Sequence, residues 1–353
     1  MSSLVVFNEH TSANLFHNIT LENIKRLVPD CIVYDRAYQE NLDYFVKNKD
    51  NRLYEGVLDF CTENKIENLH ILYLTSPELL LAEISYRYFN GKAFNTKITF
   101  VMDWRIIEIS KARQKVMSDL LRYPCINKMF IFSSMGEKSK YLGSYDSDLF
   151  DYSKKIVRFY VPIYADVKPY PMDEARKEYD LPQDRFILLF FGAMNYGKGI
   201  DLLCEAMKEV DDNVLLFIVS GEGRLNFEAP EELFKQRNIR WLKRNPPNEE
   251  LSRIFGVADI VALPYRSTYK NCGSSVLVQA CQANKNVIMP NITPFKETIN
   301  NHKLGILFEA DNVKSLTEVI NFVAPMRSRY TGEYCKYYID KIQSWETYVE
   351  AIF

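Results

Sequence analysis

A lysine six residues beyond a glycine, where an apolar run ends, is the arrangement in this chain with the clearest chemical meaning. The run is Phe186–Phe191. Gly192 closes it, and Lys198-Gly199 leads into a helical pattern of Leu202, Leu203, Ala206 and Met207. A strand, a glycine-bearing loop with one lysine and a helix start together make an anion site. Glycine admits close backbone approach, the helix start offers N–H groups with partial positive charge, and the lysine adds a full charge. The anion such a loop takes is phosphate. It is not a Walker A loop, because Lys198 is followed by Gly199 rather than Ser or Thr. The competing reading of Lys198 is a solvated loop lysine beside a helix cap.

Further candidates follow predicted strands in the first half. Glu9 and His10 come after Leu4–Phe7, and Asp103-Trp104 after Ile98–Met102. Asp103 can accept a hydroxyl proton or cap a following helix. His10 fits a structural role as well as a catalytic one. Asp146-Ser147-Asp148 has the spacing of a metal-binding DxD, but no apolar strand precedes it, and it reads as a solvated acidic turn. The seven cysteines are scattered, with no C-x-x-C pair, so neither a zinc ribbon nor a disulfide framework is expected. No metal site is predicted. Lys111, Arg113, Lys115 and Arg122, set among Ile106, Val116, Leu120 and Leu121, form either a basic amphipathic membrane face or the solvent face of a core helix.

These residues need elements to hold them. The first half alternates apolar runs (Leu4–Phe7, Cys31–Tyr34, Leu69–Leu74, Ile98–Met102, Met129–Phe132, Val157–Val161) with helical patterns (Leu21–Leu27, Gln39–Val46, Tyr54–Asn64, Pro77–Phe89, Ile106–Leu121). A proline-rich stretch, Pro162 to Pro171, interrupts the series. A second series then runs through Phe186–Phe191, Val214–Val219, Ile239–Trp241, Ile260–Leu263, Val287–Met289 and Ile306–Phe308. Its helical patterns are Asp173–Tyr179, Gly199–Val210, Pro230–Arg237, Glu249–Ala258, Ser275–Ala283 and Val313–Ala324. Strands separated by helices imply βαβ units and parallel sheets. The expectation is two doubly wound α/β domains, 1–165 and 166–333, facing across a cleft. The aromatic tail, Tyr334–Phe353, is expected as one helix packing back on the first domain. In such folds ligands bind outside the carboxyl ends of the strands.

At 353 residues the chain exceeds one core. A formal net charge of −2 argues against nucleic acid as the main partner. No apolar run approaches a membrane span, and MSSLVVFNEHTS lacks the basic flank and apolar core of a signal peptide. A cytoplasmic location is expected, with peripheral contact at the inner face of the cell membrane left open.

Four segments of the second half resemble the donor domain of GT-B glycosyltransferases, especially the retaining family-4 type. They are FFGAMNYGKGIDLLCEAM, the strand and turn VLLFIVSGEGRLN, Ala258-Asp259-Ile260-Val261-Ala262-Leu263-Pro264-Tyr265, and GSSVLVQACQANKNVIMPN. The resemblance covers roughly Val161 to Ala324. Two departures stand out. Ala193 occupies the place of the family's usual arginine after the loop glycine. Asn271 and Gln279 stand where a pair of glutamates is usual.

The resemblance implies transfer of a sugar from a UDP- or GDP-sugar to a glycan, glycolipid or other hydroxyl acceptor. It further implies retention, no metal and no cofactor, and a place in polysaccharide biosynthesis. Lys198 would meet the charge growing on the leaving diphosphate, with Gly192 beneath it. Gly273, Ser274 and Ser275 would form a second cradle, or a plain helix cap. Glu222, in Ser220-Gly221-Glu222-Gly223, would touch the nucleotide or hold a tight turn, and Arg244 would lie near the base. Asn271 and Gln279 would take the donor positions of the glutamate pair. Asp103 and His10 would face the acceptor and the reacting sugar. The departures at Ala193, Asn271 and Gln279 motivate an alternative: a catalytically inactive GT-B protein that binds or stabilises a partner.

Overall fold

The computed structural model describes residues 3–7, 15–33, 52–72, 74, 76–92, 94–103, 111–132, 155–159, 166–221, 231–270, 273–293, 295–342 and 344–353. The chain divides into two compact units. One comprises Met1–Ser133, Glu137–Tyr160 and Trp345–Phe353, the other Ser134–Gly136 and Val161–Ser344.

The first unit is a six-stranded parallel sheet. Its strands are β1 (Ser3–Phe7), β2 (Ile32–Val33), β3 (Asn68–Leu72), β4 (Lys97–Asp103), β5 (Ile126–Phe132) and β6 (Ile156–Phe159), in the order β2-β1-β3-β4-β5-β6. Helices α1 (Leu15–Leu27), α2 (Arg52–Glu63), α3 (Pro77–Phe89) and α4 (Lys111–Arg122) supply the crossovers. Apolar residues at helical spacing, such as Val57, Leu58 and Cys61 of α2 and Met117, Leu120 and Leu121 of α4, bury against Leu69, Ile71, Phe100 and Met129 of the strands. The buried Arg87 ties α3 to α2. It donates to Glu83 Oε1 at 2.6 Å, to Asp59 Oδ1 at 2.7 Å and to the Glu55 carbonyl at 3.0 Å.

The second unit is a second six-stranded parallel sheet, ordered β12-β11-β10-β7-β8-β9. Its strands are β7 (Phe186–Phe191), β8 (Val214–Val219), β9 (Ile239–Leu242), β10 (Ile260–Ala262), β11 (Val287–Pro290) and β12 (Gly305–Phe308). Every residue of β8 is buried, as expected for a central parallel strand covered on both faces. The helices are α5 (Met172–Glu178), α6 (Ile200–Ala206), α7 (Leu251–Gly256), α8 (Ser275–Gln282), α9 (Phe295–His302), α10 (Val313–Val323) and α11 (Glu333–Ile342).

The Asp of the Ala258-Asp259 signature has a structural task. Asp259 Oδ2 accepts from Arg176 Nη2 at 2.7 Å and from the Ile187 amide at 2.6 Å, while Oδ1 faces Arg327 Nε at 2.6 Å. Arg176 is 0 % exposed, and its other nitrogens donate to the carbonyls of Val257, Gln183 and Arg185. Beside this pair, buried Lys285 donates to the carbonyls of Gly256 and Ala258, and desolvation pushes its pKa down to about 8. A buried charge of this kind is tolerated only when paired and fully bonded. The cluster joins the start of β7 to the start of β10.

Several helices differ from expectation. The Gly199–Val210 pattern is helical only over Ile200–Ala206: left-handed Gly199 sets its start, and at its end the Lys208 and Glu209 amides bond the Glu205 and Ala206 carbonyls three residues back instead of four. In the described part of the Pro230–Arg237 pattern, residues 231–237, the helical structure is a 3-10 turn, Glu231–Phe234. Glu249–Ala258 splits into a 3-10 turn and α7. Phe295–His302 is a helix that went unread: its polar FKETINNH sequence buries only Phe295, Thr298 and Ile299. The tail is not one helix. Residues Glu333–Ile342 form α11 in the second unit, and a separate α12 (Trp345–Ile352) belongs to the first. There Glu346 pairs with Arg26 of α1 at 3.0 Å, and the Phe353 ring lies 4.2 Å from that of His70 on β3.

Candidate phosphate-binding site

The order of the second sheet reverses between β7 and β10. This is the switch point of a doubly wound sheet, where the loops leaving two adjacent strands part and open a crevice. The loops concerned are Gly192–Gly199 after β7 and the stretch from Leu263 after β10.

The first loop is built around two glycines. Gly192 has φ +111° and Gly199 φ +62°, conformations that side chains rarely adopt. Asn195 folds the loop: its Oδ1 accepts the Lys198 amide at 3.0 Å and so caps the 3-10 turn. Lys198 is half-buried. Its Nζ lies 2.9 Å from the point that a Cβ on Gly192 would occupy. The ammonium is thus folded back over the end of β7, and any side chain at 192 would displace it. The Lys198 and Gly199 amides are taken by Asn195 and by the Tyr196 carbonyl. With α6 only seven residues long, the anion reading of this loop rests on the lysine rather than on the helix end.

At the second candidate cradle the cap reading accounts for one hydroxyl. Ser274, buried, caps α8: its Oγ accepts the Leu277 amide at 3.2 Å and lies 2.9 Å from the Tyr265 hydroxyl. Gly273 and Ser275, both half-buried, remain beside it at the helix start. Gln279 sits one turn further along α8, and its Oε1 is buried with no hydrogen-bond partner. Glu297 of α9 has a similar oxygen. Its Oε1 accepts from Thr293 Oγ1 at 3.1 Å, while Oε2 is buried and unpartnered.

Arg244 makes a two-pronged ion pair with Glu250, at 3.2 and 2.6 Å. The hydrogen bond to Glu250 raises the Arg244 pKa, and the same bond lowers that of Glu250. The arginine is therefore already engaged. Its neighbour Asn245 instead reaches the end of β8, where Oδ1 accepts the Gly221 amide at 3.2 Å. Asp103 is the last residue of β4, paired in register with Phe132. His10, Glu9, Trp104, Glu222, Asn271 and Asp146-Ser147-Asp148 lie outside the described residues. Among the described residues no cluster of His, Cys, Asp or Glu is arranged to hold a metal ion, and no helix is long and apolar enough to cross a membrane.

The residue that sequence reasoning passed over is Arg266, two positions beyond Pro264. Its amide donates to the Gly197 carbonyl at 2.9 Å, and its Nε to the Tyr196 carbonyl at 3.1 Å. The only available signal was its place directly after the Leu263-Pro264-Tyr265 end of a signature segment.

Comparison with known proteins places this geometry. Residues 171–342 match the family model of glycosyl transferases group 1. Glycogen synthase of Thermodesulfovibrio yellowstonii is 28 % identical over 145 residues, 38 % of this chain and 27 % of that protein. The chain therefore spans about a quarter of that relative's length. Solved structures that match over nearly the whole chain include two of known source. HepE of Anabaena in complex with UDP superposes with a TM-score of 0.71 at 13 % identity, covering 100 % of this chain and 98 % of its own. Sucrose-phosphate synthase of Thermosynechococcus elongatus gives 0.67 at 15 % identity, covering 99 % and 96 %. Residues 171–342, which hold the lysine loop, the β10 loop and the capped helix, thus match the glycosyl transferases group 1 model, and the chain as a whole has the GT-B glycosyltransferase fold.

Proposed function

We infer that this chain transfers a glycosyl group from a nucleoside-diphosphate sugar to a hydroxyl acceptor. The observation that carries the reading is the Lys198 ammonium folded over Gly192 at the switch point. HepE, a neighbour in fold, is solved with UDP and glucose, which agrees with a UDP-sugar donor. As the bond from the anomeric carbon to the phosphate oxygen breaks, negative charge grows on the diphosphate. A cation already in place meets that charge without reorganising. Gly273 and Ser275 lie at the start of α8, where further donors are available to the other phosphate. The unpartnered Gln279 oxygen offers an acceptor to a donor hydroxyl. We read the transfer as retaining and metal-independent, with the acceptor proton passing to the leaving phosphate. The acceptor class is a glycan or glycolipid.

The test is a melting and hydrolysis screen against UDP-, GDP-, ADP- and dTDP-sugars in EDTA. One donor should raise the melting temperature and be slowly hydrolysed. If no nucleotide stabilises the protein, the reading fails. Lys198→Ala should lower turnover at least about tenfold, the equivalent of about 1.4 kcal/mol of transition-state stabilisation, with no change in folding.

A further inference from the structure

We propose that Arg266 is the positioning residue of the phosphate loop: it holds the Lys198 ammonium in place through the backbone of the turn that carries it. This rests on the reading of Lys198 given above. The turn Tyr196–Lys198 has three residues: the Arg266 guanidinium bonds the carbonyl of the first, and the Arg266 backbone amide, which any residue there would supply, bonds that of the second. Those two contacts set the direction in which the next residue, Lys198, leaves the turn. The guanidinium lies 4.2 Å from the centre of the Tyr196 ring and ion-pairs with Asp201 in the first turn of α6. Its Nη1 is 3.6 Å from Asp311, in the loop after β12. Asp311 in turn accepts the Ser267 amide at 3.2 Å. With 12 % of its side chain exposed, the arginine is an internal brace and not a surface charge.

The loop around it reaches both halves of the candidate site. Gly199 passes so close to Pro264 that a Cβ there would stand 2.0 Å from the Pro264 carbonyl oxygen. Gly197 lies against the Tyr269 ring, which packs 4.4 Å from that of Tyr265. Tyr265 meets Ser274 at the cap of α8. The segment Pro264–Tyr269 therefore links the lysine loop to the second cradle. Only a planar fork with several fixed donors can bond a carbonyl, stack on a ring and pair with two carboxylates at once, which a lysine cannot do.

Arg266 touches no reacting atom, so its test must separate positioning from folding. Turnover, KM, affinity for UDP and for UMP, and melting temperature are measured for Lys198→Ala, Arg266→Ala, Arg266→Lys and the Lys198→Ala/Arg266→Ala double variant. Misplacing a catalytic group by about 1 Å can cost up to about a hundredfold. Arg266→Ala should lose about tenfold or more in turnover and in UDP affinity, keep UMP affinity within about threefold, and be rescued only partly by Arg266→Lys. The double variant should be no slower than Lys198→Ala alone. If the two losses multiply, Arg266 does not act through Lys198 and the proposal falls while the phosphate-loop reading stands. Full turnover in Lys198→Ala overturns both. Should Arg266→Ala not fold, Asp201→Asn releases one arm of the guanidinium and must show the same non-additivity with Lys198→Ala; additive losses there are equally fatal.

Discussion

Replacing Gly199 by alanine tests the close approach on which the site geometry depends. At φ +62° an alanine pays about 1–2 kcal/mol for the left-handed conformation. Its Cβ would stand 2.0 Å from the Pro264 carbonyl oxygen, a backbone atom that cannot rotate away. Reaching an ordinary contact requires the lysine loop and the β10 loop to part by more than 1 Å or so. Lys198 is the adjacent residue and moves with that opening. For an ammonium about 4 Å from a phosphate charge, at an effective dielectric constant of about 20, the attraction is about 4 kcal/mol. At about 5.2 Å it is about 3 kcal/mol. The loss of about 1 kcal/mol corresponds to about fivefold in turnover. The assay pairs steady-state donor hydrolysis with thermal melting, and Gly56→Ala is the control. Gly56 lies exposed in α2 with nothing within 4 Å of its Cβ position, so that change should stabilise by about 0.5–1 kcal/mol and leave turnover alone. A Gly199→Ala protein that melts and turns over like wild type would refute the reasoning.

Three further outcomes follow from the structure. Asp259→Ala leaves the buried Arg176 guanidinium without its carboxylate and should cost about 3–5 kcal/mol in chemical denaturation, and replacing Arg176 and Asp259 together by apolar residues should not recover it, because the Val257, Gln183 and Arg185 carbonyls and the Ile187 amide would then lack partners. Burial lowers the His70 pKa from its ordinary 6.5 to about 4. Between those values the unfolded chain binds the proton and the folded one does not, so stability falls as pH drops from about 6.5 to 4. The fall is about 3 kcal/mol, and His70→Leu should abolish that share of the pH dependence in a melting series. Gln279→Ala should weaken donor affinity about tenfold by calorimetry at unchanged melting temperature, because its buried oxygen has no protein partner to lose.

The strands of this protein were legible because parallel strands buried on both faces are short apolar runs. Phe186–Phe191 and Val214–Val219 are found with the same limits as read from sequence. Helix limits were less legible where local turn chemistry competes with periodicity. Leu202, Leu203, Ala206 and Met207 are spaced as a helix, yet the chain leaves it after Ala206, where the Lys208 and Glu209 amides turn to carbonyls three residues back. Phe295–His302 was missed because a helix that buries three residues in eight has almost no apolar stripe. Within the site, Lys198 and Gly192 were readable as chemistry. Arg266 was not, since its partners are the carbonyls of Tyr196 and Gly197, some 70 residues earlier in the chain. Asp259 was legible only as part of a signature, because its role is defined by Arg176 and Ile187.

The two arginines explain why a crevice can exist where it does. Strands β7 and β8 pair over six residues, and Ile200, Leu203 and Cys204 of the helix between them share a core with both. Strands β7 and β10 are neighbours with no direct chain connection, and their ladder has only two pairs, Ile260 with Leu188 and Val261 with Leu189. Beyond Ala262 the bonding to β11 continues, the Leu263 amide donating to the Ile288 carbonyl as the Val261 amide does to that of Asn286. The β10–β11 ladder is equally short, with Val261 paired to Val287 and Ala262 to Ile288, so β10 is held on both sides by few backbone bonds. Side chains make up the difference at both ends. Arg176, through Asp259, fixes the start of β10 to the amide of Ile187. Arg266 fixes the loop after β10 to the loop after β7. The first tie is fully buried and holds the sheet together. The second sits at the crevice, where the guanidinium braces the Tyr196 carbonyl and the Arg266 amide braces that of Gly197, beside the lysine. A sheet that opens at its switch point needs both ties, because a continuous ladder there would leave no room for a diphosphate.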